Sequence, residues 1–120
     1  MVVSTEVRLT GDRGIGPELL CPRCGSNYLH QAKVTVFDRV GGEDALWTDV
    51  TTVDNGLAAT HRLSSDASAN PSRRRQGVAI ELSCEGCGDG IELLIAQDEG
   101  KTVLSWRFDP QTKGEPLPAD

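Results

Sequence analysis

Four cysteines are the residues whose type and spacing can do chemistry in this chain. They form two pairs, Cys21-Pro22-Arg23-Cys24-Gly25 and Cys84-Glu85-Gly86-Cys87-Gly88. Each is C-x-x-C followed at once by glycine. Two intervening residues make a tight turn that aims both thiolates, and nearby backbone N–H groups, at one ion. The glycine permits the left-handed backbone that lets the chain turn away. Two such knuckles supply a closed tetrahedral set of four thiolates, the ligand set of a structural zinc ion.

Other chemistry for the cysteines fits less well. Disulfides suit secreted proteins, and the N-terminus has neither the basic nor the long apolar region of a secretory signal. A redox C-x-x-C needs its first cysteine at a helix N-terminus, which lowers the thiol pKa; here a strand pattern follows. Iron in a rubredoxin-like four-cysteine site, an electron-transfer centre, is the rival to zinc, because its knuckles read the same way. Four thiolates leave no ligand position for a catalytic water, which argues against zinc hydrolysis. His30, a few residues beyond knuckle one, is a candidate contact behind the metal ligands. His61 lies in a weaker strand signal and carries less weight.

The only basic cluster is Arg73-Arg74-Arg75, after Asn70-Pro71-Ser72. It reads as a flexible finger near the metal that contacts phosphate or an acidic partner. It reads equally as a solvated loop end that keeps an edge strand from pairing. No aromatic residues interleave it, so base stacking is not indicated. Glu43, Asp44, Asp49 and Asp54 read as a solvated rim. No nucleophile triad is visible. Gly11-Asp12-Arg13-Gly14-Ile15-Gly16 lacks the preceding strand and following helix of a nucleotide loop. These absences point to a protein that is not an enzyme.

The elements that must position the cysteines are strands. Tyr28 to Arg39 alternates, with Ala32, Val34 and Val36 on one face, His30 with them, and Lys33, Thr35 and Phe37 on the other. Gly41-Gly42 interrupts it. Leu46 to Val53 follows, then Asp54-Asn55-Gly56, a hairpin signal, and a returning strand over Leu57 to Leu63. Ser64 to Gln76 offers little to bury and reads as an exposed, mobile loop. Val78, Ile80 and Leu82 alternate, as do Ile91, Leu93 and Ile95. Asp98-Glu99-Gly100 signals a tight turn before Leu104, Trp106 and Phe108. Trp47, Trp106 and Tyr28 are candidate core residues.

The expected fold is therefore all-β: an antiparallel sheet of about five or six strands with two zinc knuckles at one end, zinc-ribbon-like. Residues 1 to 20 read as a loosely ordered N-terminal arm, 21 to 108 as the β domain with its loop at 64 to 76, and 109 to 120 as a Pro-containing disordered tail. The spacing departs from simple ribbons in one respect. Residues 25 to 83, 59 in all, separate Cys24 from Cys84, against roughly 15–20 in a simple ribbon. Loop-closure entropy grows only logarithmically, so the metal can still close it.

Composition agrees. The chain has 120 residues, 38% hydrophobic but only 4% aromatic. So few large anchors in one small domain leave a thin core that a metal can reinforce. The net charge of −6 repels nucleic acid and anionic membranes, so a protein partner is favoured and nucleic acid stays open only through the local Arg73–Arg75 loop. No run approaches the ~20 apolar residues of a membrane span. A cytoplasmic setting, where thiols stay reduced, is expected.

The stretches Cys21-Pro22-Arg23-Cys24-Gly25-Ser26-Asn27-Tyr28-Leu29-His30, Val34 to Arg39, Asn70-Pro71-Ser72-Arg73-Arg74 and Val78-Ala79-Ile80-Glu81-Leu82-Ser83-Cys84-Glu85-Gly86-Cys87 together resemble a group of small zinc-ribbon-like proteins of actinobacteria and their phages, including mycobacteriophages. The resemblance spans roughly Cys21 to Arg107. It implies that the four cysteines are the metal site and that the Asn-Pro-Ser-Arg-Arg loop is a shared feature. Where the group has a His-Lys-Gly type of turn after the fifth strand, this chain has Asp98-Glu99-Gly100, so no basic contact transfers there. The resemblance implies no reaction. For a phage-encoded protein it implies an accessory role on host machinery, in the host cytoplasm.

Overall fold

The computed structural model describes residues 2–11, 14–40, 47–64, 69–72 and 75–110. Arg73, Arg74, the Gly41-Gly42 break, Glu43, Asp44 and the tail beyond residue 110 lie outside the described residues. Among those described there is no helix, and none therefore that is long and apolar enough to cross a membrane.

Seven strands form one antiparallel sheet: β1 (Val2–Ser4), β2 (Leu29–Val40), β3 (Trp47–Asp54), β4 (Leu57–Ser64), β5 (Gly77–Cys84), β6 (Gly88–Asp98) and β7 (Lys101–Phe108). Their order across the sheet is β1-β7-β6-β5-β2-β3-β4. Six were legible from alternation. The seventh, β1, pairs with the end of β7, Val3 opposite Arg107. The N-terminal arm thus has more order than its polarity predicts: a bridge joins Leu9 to Leu19, and Val7 and Leu19 pack on the core.

Two hairpins follow from turn chemistry. Asn55 and Gly56 both have positive φ (56° and 81°), as do Glu99 and Gly100 (50° and 79°). Two-residue turns of this kind match the right-handed twist of the strands they join. Asparagine and glycine adopt them readily, whereas Glu99 carries some strain there.

The sheet has two half-cores on opposite faces. Cys21, Leu82, Cys84, Cys87, Ile91, Leu93 and Trp106 cluster on one face, at the end where the knuckles sit. Phe37, Val50, Ala79 and Leu94 cluster on the other. Period-two alternation requires this split, because Leu93 and Leu94, or Ala79 and Leu82, point to opposite sides. Among the described residues no second layer covers this sheet, of the kind that normally completes a core.

Two bulges adjust this alternation beside the knuckles. Between Gln31 and Val34, β2 carries one more residue than β5. The extra residue places Leu29 and Val34 on the same face despite their spacing. His30 therefore does not share the face of Val34 and Val36, as unbroken alternation predicts. The second bulge lies between Leu82–Cys84 of β5 and Gly88–Ile91 of β6. Gly88 and Gly90 supply its positive φ values, 95° and 87°.

Three aromatic expectations divide. Trp106 is fully buried, whereas Trp47 and Tyr28 are about half or more exposed. Tyr28 lies just before β2, and Trp47 opens β3 near the rim of the sheet, where neither half-core reaches.

Candidate metal centre

Knuckle one hangs below the sheet on its own turn. Cys21 N–H bonds Ser26 C=O, and Gly25 N–H bonds Cys21 C=O. Knuckle two joins β5 to β6, with Gly86 N–H donating to Cys84 Sγ at 3.3 Å. Both expected glycines, Gly25 and Gly88, have positive φ, 82° and 95°. A bond from Glu85 N–H to Tyr28 C=O ties the two knuckles together.

The four sulfurs all lie within 4.8 Å of one another. Cys21 Sγ is 3.6 Å from Cys87 Sγ, and Cys24 Sγ is 3.5 Å from Cys84 Sγ. A Zn–S bond of about 2.3 Å implies tetrahedral S–S edges of about 3.8 Å. A disulfide requires about 2.05 Å. The observed spacing fits ligands around an ion and excludes two disulfides; all four thiols are free. Four cysteines, one from each end of each knuckle, are thus placed to bind one metal ion. Among the described residues no other group of three or more His, Cys, Asp or Glu side chains converges in this way.

Arg23 organises the site from outside. Its guanidinium donates to the carbonyls of Gly88, at 3.3 Å, and Asp89 on knuckle two, and to Asp109 C=O at 2.9 Å beyond β7. It clamps knuckle one to knuckle two and to the end of the last strand. The sequence held a signal for this: a charged residue inside a C-x-x-C facing a Gly-Asp-Gly bulge. Arg23 was read there only as a spacer between ligands.

Without a metal the thiols differ. Burial pushes Cys87 up to about 12, with its sulfur neighbours adding to the effect against Arg23. Burial also raises Cys24. At Cys84 burial acts in the same direction, but the Gly86 N–H and the Cys24 thiol outweigh it and bring the thiol down to about 7.

His30 is exposed, and its ring contacts the Glu85 carboxylate rather than a cysteine. It touches a neighbour of a ligand, one step farther out than expected. His61 is exposed on β4, opposite Val50.

The described residues Asn70, Ser72 and Arg75 differ from the sequence reading in burial and in place. Asn70 and Ser72 are buried. Asn70 Oδ1 accepts from Ser72 N–H, Asn70 Nδ2 donates to Arg75 C=O, Ser72 Oγ accepts from Arg75 N–H and donates to Gln97 C=O. Polar side chains here bond the chain's own backbone, so polarity was no guide to exposure at Asn70 and Ser72. The turn leads into Gly77, the start of β5, while knuckle two is at its far end. Seven strand steps separate them by about 23 Å. Arg75 is therefore not near the cysteine cluster.

Arg75 lines a surface concavity with Val3, Pro71, Asp98, Glu99 and Val103. Acidic and basic groups share its rim.

No family model, no curated protein and no solved structure matches this chain.

Proposed function

We propose that this protein is a non-enzymatic binding module whose four-cysteine site holds a structural zinc ion. The observation that carries the reading is the convergence of Cys21, Cys24, Cys84 and Cys87 within 4.8 Å. Thiolates prefer soft or borderline ions, and four of them close the coordination sphere. The ion then acts as a staple between the N-terminal knuckle and the β5–β6 hairpin. It compensates for a single sheet with two thin half-cores.

The partner is a protein. The net charge of −6 opposes a polyanion, and the concavity beside Arg75 carries Asp98 and Glu99 as well. Phosphate recognition through Arg73–Arg75 would have to overcome both. On the resemblance to zinc-ribbon-like proteins of actinobacteria and their phages, the module is an accessory protein acting on host machinery.

Elemental analysis of the purified chain tests the reading. One zinc per chain in colourless protein is expected. A red protein with one iron per chain would replace it with the rubredoxin-like electron carrier, because oxidised iron–thiolate centres absorb visible light.

A further inference from the structure

β4 ends the sheet on one side. All eight of its residues are exposed. Such an edge presents unpaired backbone groups to any other strand, and native sheets blunt it with lysine, proline, a bulge, a short strand or a covering segment. Among the described residues β4 has none of these. It contains no lysine or proline, and its register with β3 is unbroken from Leu57 to Ser64. Its one charged side chain, Arg62, is neutralised by Asp49 through bonds of 2.6 and 2.9 Å. The opposite edge, β1, is only three residues long. The two edges are thus unlike: one is guarded by brevity, and among the described residues no strand covers the other from Leu57 to Leu63.

The direction of the open bonds follows from the hairpin. A two-residue turn closes on a hydrogen-bonded pair, here Asp54 and Leu57, and bonding alternates from there. Leu57, Ala59, His61 and Leu63 point their backbone groups at β3. Ala58, Thr60 and Arg62 point theirs outward.

We propose that the edge is occupied by β4 of a second copy of this chain, antiparallel, with a two-fold axis through Thr60. In that register Thr60 faces Thr60, Ala58 faces Arg62, Ala59 faces His61, and Leu57 faces Leu63 of the second copy. Between Leu57 and Leu63 the outward residues Ala58, Thr60 and Arg62 all fall on bonding positions. Leu57 and Leu63, 77% and 46% exposed in the single chain, meet on one face of the sheet, twice by symmetry. No like charges oppose one another. An axis at His61 would set histidine against histidine, and an axis at Ala59 would leave Leu63 unpaired. The self-complementarity of the sequence about Thr60 argues for a second copy over an unrelated strand.

The test is the mass in solution of the full zinc-loaded chain, by sedimentation equilibrium from micromolar to near-millimolar concentration. The wild type is expected at twice its 12.9 kDa. Thr60→Pro removes the central outward N–H and no bond to β3, so it is expected at single mass. Thr60→Ala loses the Thr51–Thr60 hydroxyl contact but keeps the N–H, and is expected to stay dimeric. The double variant Leu57→Lys with Leu63→Lys sets a charge at each leucine pair and is expected at single mass. It decides the matter where Thr60→Pro loses its near-ultraviolet circular dichroism and so has not folded. A wild type that stays monomeric throughout, or a dimer that survives the double lysine variant, overturns the proposal.

Discussion

Residue identity explains most at the cysteines. Their four-way convergence was legible from two C-x-x-C-G repeats, because the turn and its glycine are dictated by short-range geometry. Gly25 and Gly88 took the positive φ that the spacing requires. What the sequence did not reveal was the inequality of the thiols. That depends on burial and on which N–H groups arrive from elsewhere, such as Gly86 at Cys84. It has a consequence for pH. In the metal-free pocket Cys24 lies above its ordinary value and Cys87 near 12, so both are protonated at neutrality. Binding a metal expels at least those two protons, so affinity must fall as pH falls. A fall of at least about 100-fold per pH unit below neutrality is expected. Competition with a colorimetric chelator between pH 6 and 7.5 measures it; a pH-independent affinity would mean that the thiols are not the ligands.

At the scale of elements, six strands followed from period-two patterns, and both hairpins from their turn residues. β1 escaped notice because three residues in a polar, glycine-rich stretch show no usable period. Its pairing with β7 is a tertiary event. The bulges at Gln31–Val34 and Gly88–Gly90 were hidden because alternation assumes an unbroken ladder, although Gly88-Asp89-Gly90 is a bulge signal in retrospect. The Asn70–Ser72 turn was misjudged for a related reason. Composition measures how much a segment can bury, not whether its side chains can bond its own backbone. This turn rests on Gly77. A Cβ there would lie 2.2 Å from Asn70 Oδ1 and 2.8 Å from Pro71 Cδ, closer than atoms can approach. Gly77→Ala must displace the turn and break the Ser72–Gln97 bond. We expect a loss of about 1–3 kcal/mol, read by urea unfolding, with metal content unchanged because the cysteine cluster is at the other end of β5. An unchanged midpoint would show that the turn is not anchored there.

The described residues form one sheet, which on the proposed reading leans on its metal more than a two-layer domain would. Trp106, fully buried, lies in the same cluster as Cys21, Cys84 and Cys87, so the core and the metal site are one object. The described residues between the knuckles form β2 to β5 and place both Arg75 and the β4 edge away from the cysteine cluster. On the proposed reading, function is carried by the inserted strands, and the knuckles hold them in place. The 59 residues between Cys24 and Cys84 are what point to that division of labour. Arg75, expected near the cysteines, precedes the opposite end of β5, because its eight residues carry the chain about 23 Å.

The most direct test is thermal unfolding of the chain with and without a tight chelator, followed by tryptophan fluorescence. Structural zinc contributes on the order of 10 kcal/mol in small domains, and 1 kcal/mol moves the midpoint of a domain this size by roughly 4 °C or more. Chelation is expected to lower the midpoint by more than about 20 °C and to shift emission to the red as Trp106 meets water. Superimposable curves, with the buried emission retained after the metal is gone, would contradict the claim that the four cysteines hold the ion on which the fold depends.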